Sequence, residues 1–293
     1  MKLLRYGPPG QEKPGLLDAE GRIRDLSGRV ADLAGDVLSP AGLARLRELD
    51  PAGLPLVEGK PRLGPCVGVI PKIVAVGLNY PDPAALPRWW HWVRRVAVGL
   101  VNPPHKPVLF MKATSAITGP HDDVMIPKGS VKTDWEVELG IVIGSVTRYV
   151  SAHDSLAHVA GYCVVNDVSE RDYQFERFGL WDKGKSCDTF APIGPWLVTA
   201  DEVPDPQNLD VFLDVNGVRR QAANTRTMIF GVAHLVSYIS HFMTLMPGDV
   251  IPTGTPPGVG MCMKPPTYLK PGDEVRLGIA GLGEQRQRFV AFS

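Results

Sequence analysis

Proline and glycine set the first limit on what this chain can fold into. With 31 glycines and 28 prolines they make up about a fifth of its 293 residues, where an average chain carries about 12%. Proline stops helices and central strands and glycine supplies turn conformations, and no collagen-like period accompanies them. The chain therefore reads as turn-rich and largely β. At 21% charged and 44% hydrophobic residues it is too apolar for a disordered chain, and its length allows one large domain or two smaller ones. Lys plus Arg and Asp plus Glu number 31 each. That balance argues against a nucleic-acid binder with a basic stripe and against a polybasic membrane-surface protein.

No apolar run reaches the roughly 18 residues of a membrane span, and the first residues hold no signal-peptide pattern. Cys66, Cys163, Cys187 and Cys262 are widely spaced, with no C-x-x-C pair. They read as free or buried thiols, and the expected compartment is a reducing cytoplasm.

Residues 1–65 form an expected small N-terminal α+β domain, and 66–293 the main domain. Leu3 to Tyr6 and Arg22 to Leu26 read as strands around the Asp18-Ala19-Glu20-Gly21 turn. Ser39-Pro40 followed by Leu43, Leu46 and Leu49 reads as a capped helix. A Pro/Gly-rich connector then runs from Asp50 to Pro65. Beyond residue 72, Ile73 to Val76, Val137 to Ile143 and Tyr162 to Val165 read as strands, with further strand character at Asp249 to Ile251 and Glu274 to Ile279. Apolar residues from Met228 to Met243 recur at helical spacing. His234 and His241 share a face of that helix, in a pattern more typical of packing than of metal ligation.

Chemistry concentrates in four segments. In extended chain Glu136 and Glu138 project to the same side, where they either form a solvated face or share a cation. Two such close carboxylates repel unless protonated or bridged, and a hard divalent ion with oxygen ligands would bridge them. A third acid, Asp167, closes the Tyr162 to Val165 strand after Asn166. Arg171 and Gln174, three apart, fall on one helix face and offer a carboxylate grip and an amide donor, or else an ordinary surface helix. Lys185 sits among small and apolar residues, as a surface lysine or a partly desolvated one. The Thr253-Gly254-Thr255-Pro256-Pro257-Gly258 loop could hold an anion on its N–H groups and hydroxyls, but lacks the ending of a P-loop and the spacing of a dinucleotide fingerprint. No Gly-x-Ser-x-Gly elbow occurs.

Taken in order, Phe110-Met111-Lys112-Ala113-Thr114-Ser115, Asp134-Trp135-Glu136-Val137-Glu138, Asn166-Asp167 with Arg171 and Gln174, Lys185-Ser186 and Thr253-Gly254-Thr255-Pro256 resemble the fumarylacetoacetate hydrolase family. The match spans about residues 72 to 285. Within the family the pattern is most similar to bacterial 2,4-diketo-3-deoxy-sugar-acid hydrolases, some labelled ureidoglycolate lyase. The resemblance implies a mixed β-sandwich roll after a small α+β domain, usually in homodimers. It implies that Glu136, Glu138 and Asp167 hold Mg²⁺ or Mn²⁺, which chelates a small keto-acid substrate. Lys185 would be catalytic, adding charge beside a metal-stabilised enolate. Arg171, Gln174, Thr253, Gly254 and Thr255 would bind substrate. The implied reaction is hydrolysis of a carbon–carbon bond in a 2,4-diketo acid. No role is carried over for Lys112 or Ser115.

One departure stands out. Family hydrolases follow an Asn-Tyr pair with a His and a Glu that activate water. Here Asn79-Tyr80 is followed by Pro81-Asp82-Pro83, no Glu occurs before Leu109, and Trp89, Trp90 and Trp92 crowd beside arginines. The stretch reads as an insertion, a lid or a locally out-of-frame segment, with His91 or His105 as replacement bases. Loss of a general base costs about 10² to 10⁴ in rate. The departure therefore gives weight to two other readings: an isomerase, hydratase or decarboxylase of related 2-keto acids, or an impaired homologue that binds metal and keto acid.

Overall fold

The computed structural model describes residues 1–81, 106–177 and 180–293. Its centre is the antiparallel pair Val137–Ile143 and Val159–Asn166, with Cys163 opposite Gly140 and Val165 opposite Glu138. Every residue of both strands is buried. That is why, Glu138 and Asn166 apart, their sequences are largely apolar rather than alternating.

These two strands lie inside a ten-stranded mixed sheet. Outward on one side come Ala191–Thr199, Lys2–Tyr6, Lys13–Leu17 and Ile23–Asp25; on the other come Val250–Pro252, Ile73–Gly77 and Val108–Lys112; the tenth, Ile117–Thr118, pairs parallel with Ala191–Thr199. A second sheet of five strands runs Val218–Asn224, Asp210–Val215, Glu274–Ile279, Gly283–Val290 and Val124–Met125. It packs on the middle of the first. Apolar side chains such as Leu139, Ile193, Leu277 and Phe289 belong to one core cluster.

The two sheets are also joined by a buried polar seam. Asn166 Nδ2 donates to Gln287 Oε1 (3.1 Å), Gln287 Nε2 to Pro120 O (2.6 Å), and Gln285 Nε2 to Val164 O (2.8 Å). All three side chains are buried, and such groups are tolerated inside only when paired. Asn166 belongs at once to this seam and to the end of a central strand, so the seam fixes where Asp167 begins.

Three expectations change in detail. Lys13–Leu17 is a strand between Lys2–Tyr6 and Ile23–Asp25, with Arg5 opposite Pro14 and Leu4 opposite Gly15. Its Pro-Gly pair lowers strand propensity, and the sequence therefore read past it. The late helix is shorter than its periodicity, running Val232–Ser240. The N–H groups of Ile229 and Phe230 are taken by the backbone and side-chain oxygens of Asn79 (2.8 and 2.7 Å), which keeps that stretch out of the helix. Its His234 stacks between Phe230 and Tyr238, a packing role. Glu136 lies outside the central strand, in a break between Thr133–Asp134 and Val137–Ile143. The Ser39 cap forms as read, accepting from Gly42 N–H at 3.0 Å. Among the described residues no helix is long and apolar enough to cross a membrane.

The first strand is hydrogen-bonded to Ala191–Thr199, with Leu3 opposite Leu197. An ionic clasp adds to this ladder: Arg62 Nη1 donates to Glu12 Oε1 (2.9 Å) and Arg62 Nε to Asp122 Oδ1 (2.7 Å). Burial alone would raise both carboxyls, but Arg62 overrides it and holds both below their ordinary values. A carboxylate depressed in the folded state stabilises the fold above its unfolded pKa. That contribution is lost as pH falls through the folded value. Arg62→Met should therefore cost about 1–3 kcal/mol in urea melts at neutral pH, and far less below about pH 3. An equal loss at both would show that the clasp is not ionic.

Candidate metal centre

The structure brings Glu136, Glu138 and Asp167 together. One oxygen from each lies within 4.8 Å of the others, and all three residues are buried. The solvated-face alternative for the glutamates is thereby excluded. Two elements create the convergence. Glu138 projects from the central strand, while Glu136 and Asp167 sit where the two central strands end, joined by Asp167 N–H donating to Glu136 O at 2.9 Å.

The cations around them are unevenly distributed. Lys185 Nζ lies 2.7 Å from Glu136 Oε2 and 2.6 Å from Asp167 Oδ2. Lys112 Nζ donates to Asp167 Oδ1 at 2.5 Å and to Val168 O at 3.2 Å. Arg171 Nη2 lies 2.6 Å from Glu136 Oε1. Glu138 meets no lysine or arginine at ion-pair distance among the described residues, and accepts instead from Gly254 N–H at 2.7 Å.

Titration follows this geometry. Burial and the charges of Asp167 and Glu136 push Glu138 well above the usual carboxylate range. Asp167 is equally buried, yet Lys112 and Lys185 hold it below that range. Burial works against the charge of Lys185, but Asp167 and Glu136 prevail and its pKa is raised. For Lys112 burial wins and the pKa is lowered. Three hard oxygen donors with an unbalanced buried charge at Glu138 are the donor set that suits a divalent cation such as Mg²⁺ or Mn²⁺.

The other candidates also sit here. Lys185 ends a short helix, Asp182–Lys185, pinned to the Val108–Lys112 strand by Met111 N–H donating to Asp182 Oδ1 (2.9 Å). Its Nζ lies 4.9 Å from the centre of the Phe110 ring, which packs on Trp181. Arg171 and Gln174 lie on the helix Arg171–Phe175 and are hydrogen-bonded to each other, Nη1 to Oε1 at 3.0 Å. Thr253 Oγ1 donates to Leu139 O and Thr255 Oγ1 to Val137 O, both at 3.0 Å. Both threonine hydroxyls thus hold the loop to the Glu138 strand, and the anion on Gly254 N–H is Glu138 itself. Gly254 has φ +96°, and a Cβ there would stand 2.7 Å from Asn79 Cβ. Only glycine brings that N–H to the carboxylate.

Sequence reasoning left four contributors without a role. Lys112, fully buried at the end of its strand, was legible only as a motif residue. Asn79 donates to Thr253 O at 2.7 Å and Phe230 O at 3.0 Å. Gln221 accepts from Val137 N–H and donates to Thr255 Oγ1 and Pro256 O. Tyr80 is buried, and its phenol is pushed up by burial and by Glu138. Asn79 and Tyr80 carried a signal in their motif; Gln221, on a strand of the other sheet, carried none. His91 and His105, the replacement bases, lie outside the described residues.

Residues 72–290 match the fumarylacetoacetate (FAA) hydrolase C-terminal family. A Burkholderia multivorans protein, named provisionally as a hydrolase, is 66% identical over 288 residues, covering 98% of each chain. Among solved structures, 2-hydroxyhepta-2,4-diene-1,7-dioate isomerase from Mycobacterium marinum is 32% identical, with a TM-score of 0.71 over 99% of this chain and 98% of its own. Maleylpyruvate hydrolase from Sphingobium sp. SYK-6, solved with manganese(II) and pyruvate, is 28% identical, with a TM-score of 0.77 over 100% of both chains. Their mixed-sheet architecture is that of this protein, which belongs to the fumarylacetoacetate hydrolase family.

Proposed function

We propose that this chain is a divalent-metal-dependent hydrolase that cleaves a carbon–carbon bond of a 2,4-diketo acid of the acylpyruvate type. The observation that carries this reading is the convergence of Glu136, Glu138 and Asp167, with no lysine or arginine at ion-pair distance from Glu138 among the described residues. The manganese and pyruvate of the maleylpyruvate hydrolase structure support the same pairing of ion and keto acid. Glu136, Glu138 and Asp167 would hold Mg²⁺ or Mn²⁺, which would supply Lewis-acid stabilisation of the developing negative charge.

The chain's own residues do the rest. Water adds to the carbonyl at C4, and the C3–C4 bond breaks. The acyl part leaves as a carboxylic acid, and the electron pair passes into a pyruvate enolate that takes up a proton at C3. Lys185, raised in pKa by Asp167 and Glu136, keeps its proton and places a second positive charge beside the developing enolate oxygen. Arg171 and Gln174 orient the substrate carboxylate, and the 253–255 loop sets the position of Glu138. Phe110 and Trp181 wall off water next to Lys185.

A second reading keeps the site and changes the reaction. Isomerisation of a related 2-keto acid passes through the same enolate and needs no activated water. The missing His and Glu after Tyr80 favour it, as does the likeness to the Mycobacterium marinum isomerase. Replacing residues 81–105 with a family-type His- and Glu-containing segment separates the two. If water activation limits this protein, hydrolysis of an acylpyruvate should rise by about 10² to 10⁴. Equal and high turnover in both forms would show that the missing pair does not matter.

Turnover should require added Mg²⁺ or Mn²⁺ and stop on chelation. Glu138→Gln should weaken Mn²⁺ binding at least about tenfold. It should also raise the Tm of the metal-free protein, because it deletes one of three crowded charges. Unchanged Mn²⁺ affinity with a lower Tm would remove the metal centre from these residues. Lys185→Met should lower kcat by about 10² to 10³ with Mn²⁺ still bound, as steady-state kinetics beside Mn²⁺ titration would show.

A further inference from the structure

Asp134 is fully buried two residues before Glu136, and both of its oxygens are occupied. Oδ1 accepts from Trp135 N–H (2.9 Å) and Gly260 N–H (2.7 Å). Oδ2 accepts from Met261 N–H (3.0 Å) and from Arg171 Nε (2.9 Å). Three donors are backbone groups that cannot turn away, so the carboxylate is immobile. It therefore fixes the plane of the guanidinium it holds. Gln174 occupies Nη1 at 3.0 Å. Nη2 remains: it is buried and lies at ion-pair distance from Glu136 Oε1 (2.6 Å), yet among the described residues it has no hydrogen-bond acceptor in good alignment. One nitrogen of the fork is thus aimed at the acid cluster, paired by charge to Glu136 but with donor capacity left over.

We propose that Asp134 is a positioning residue. It locks Arg171 so that Nη2 presents a donor to the substrate carboxylate, and it ties that orientation to the Gly260–Met261 turn. This rests on the keto-acid reading above. The turn is built for the contact, since a Cβ on Gly260 would stand 2.8 Å from Asp134 Oδ1 and would collide with Thr267 O. An amide cannot replace the carboxylate, because its NH₂ would face backbone N–H donors or the guanidinium, all of which need an acceptor. A lysine cannot replace the arginine, because it lacks the second and third nitrogens that let Asp134 set a direction.

The experiment uses the full chain loaded with Mn²⁺, with pyruvate as the probe. Free Mn²⁺ is read by EPR and pyruvate binding by calorimetry for wild type, Asp134→Asn, Arg171→Met, the double variant and Arg171→Lys. Asp134→Asn should weaken pyruvate binding about tenfold while Mn²⁺ affinity without pyruvate moves less than about threefold. The double variant should be no worse than the weaker single one, because Asp134 acts through Arg171. Arg171→Lys should lose as much as Arg171→Met. Pyruvate affinity unchanged in Asp134→Asn, losses that multiply in the double variant, or equal losses of Mn²⁺ and pyruvate affinity would each overturn the proposal. If Asp134→Asn does not fold, Arg171→Lys alone decides: near wild-type pyruvate affinity would mean that charge, not orientation, matters. Wild-type protein that binds Mn²⁺ but no pyruvate would overturn the keto-acid reading itself, and this inference with it.

Discussion

Three carboxylates cannot share a dry pocket without compensation, and the arrangement around Glu136, Glu138 and Asp167 follows from that constraint. Burial penalises each charge, and their mutual repulsion adds to it. Lys112, Lys185 and Arg171 offset the penalty at Asp167 and Glu136. At Glu138 the offset is only the charge of Lys185 beyond ion-pair distance and one backbone N–H, too little to keep its proton affinity from rising. The asymmetry makes the site stable enough to fold yet electrostatically incomplete. Two acids are ion-paired within the chain, while the third has no lysine or arginine at ion-pair distance among the described residues.

This constraint propagates outward through backbone rather than through more charge. Gly254 reaches Glu138 because Asn79 and Thr253 hold the loop against the central strand. Gln221 carries the same loop to the second sheet, and Asn166 ties the strand before Asp167 to Gln287. The apolar core sets the two sheets face to face, but these amides set their register, since each is satisfied in only one alignment. The polar seam therefore positions the acids more sharply than area burial could.

How much of this was legible in the sequence depended on whether the information was local. The central strands were readable because continuous burial leaves continuous Val and Ile. Ser39 announced its helix, and the three acids and Lys185 were visible as ordered motifs. The Lys13–Leu17 strand was hidden by Pro14 and Gly15, whose local preferences the sheet overrides. The start of the late helix was hidden because its competitor, Asn79, lies about 150 residues away. Gln221 illustrates the limit: its partners Val137 and Thr255 are 84 and 34 residues distant, and nothing near it in sequence marks it. Thr253 and Thr255 were read for their hydroxyls, but those hydroxyls bind the neighbouring strand.

The same division separates binding from reaction type. Every group that holds the acids, from Lys112 to Gly254, sits on a strand, at a strand end, or on a short helix or loop pinned to one. That half of the site is rigid, and under the proposed reading it would serve any 2-keto acid whose enolate must be stabilised. The resemblance implies that the groups deciding what happens to an enolate, whether water has attacked or a proton merely moves, would belong to the segment after Asn79-Tyr80. Asn79 is the last residue before it that is locked by hydrogen bonds to two other loops. The sequence then departs from the family pattern immediately after Tyr80. Keeping this cluster of acids and bases demands many coordinated contacts, whereas exchanging a water-activating pair demands few. A chain of this family can therefore keep the cluster intact while its reaction changes. Under the function proposed above, the identity of the reaction would be carried by residues 81–105 rather than by the acids.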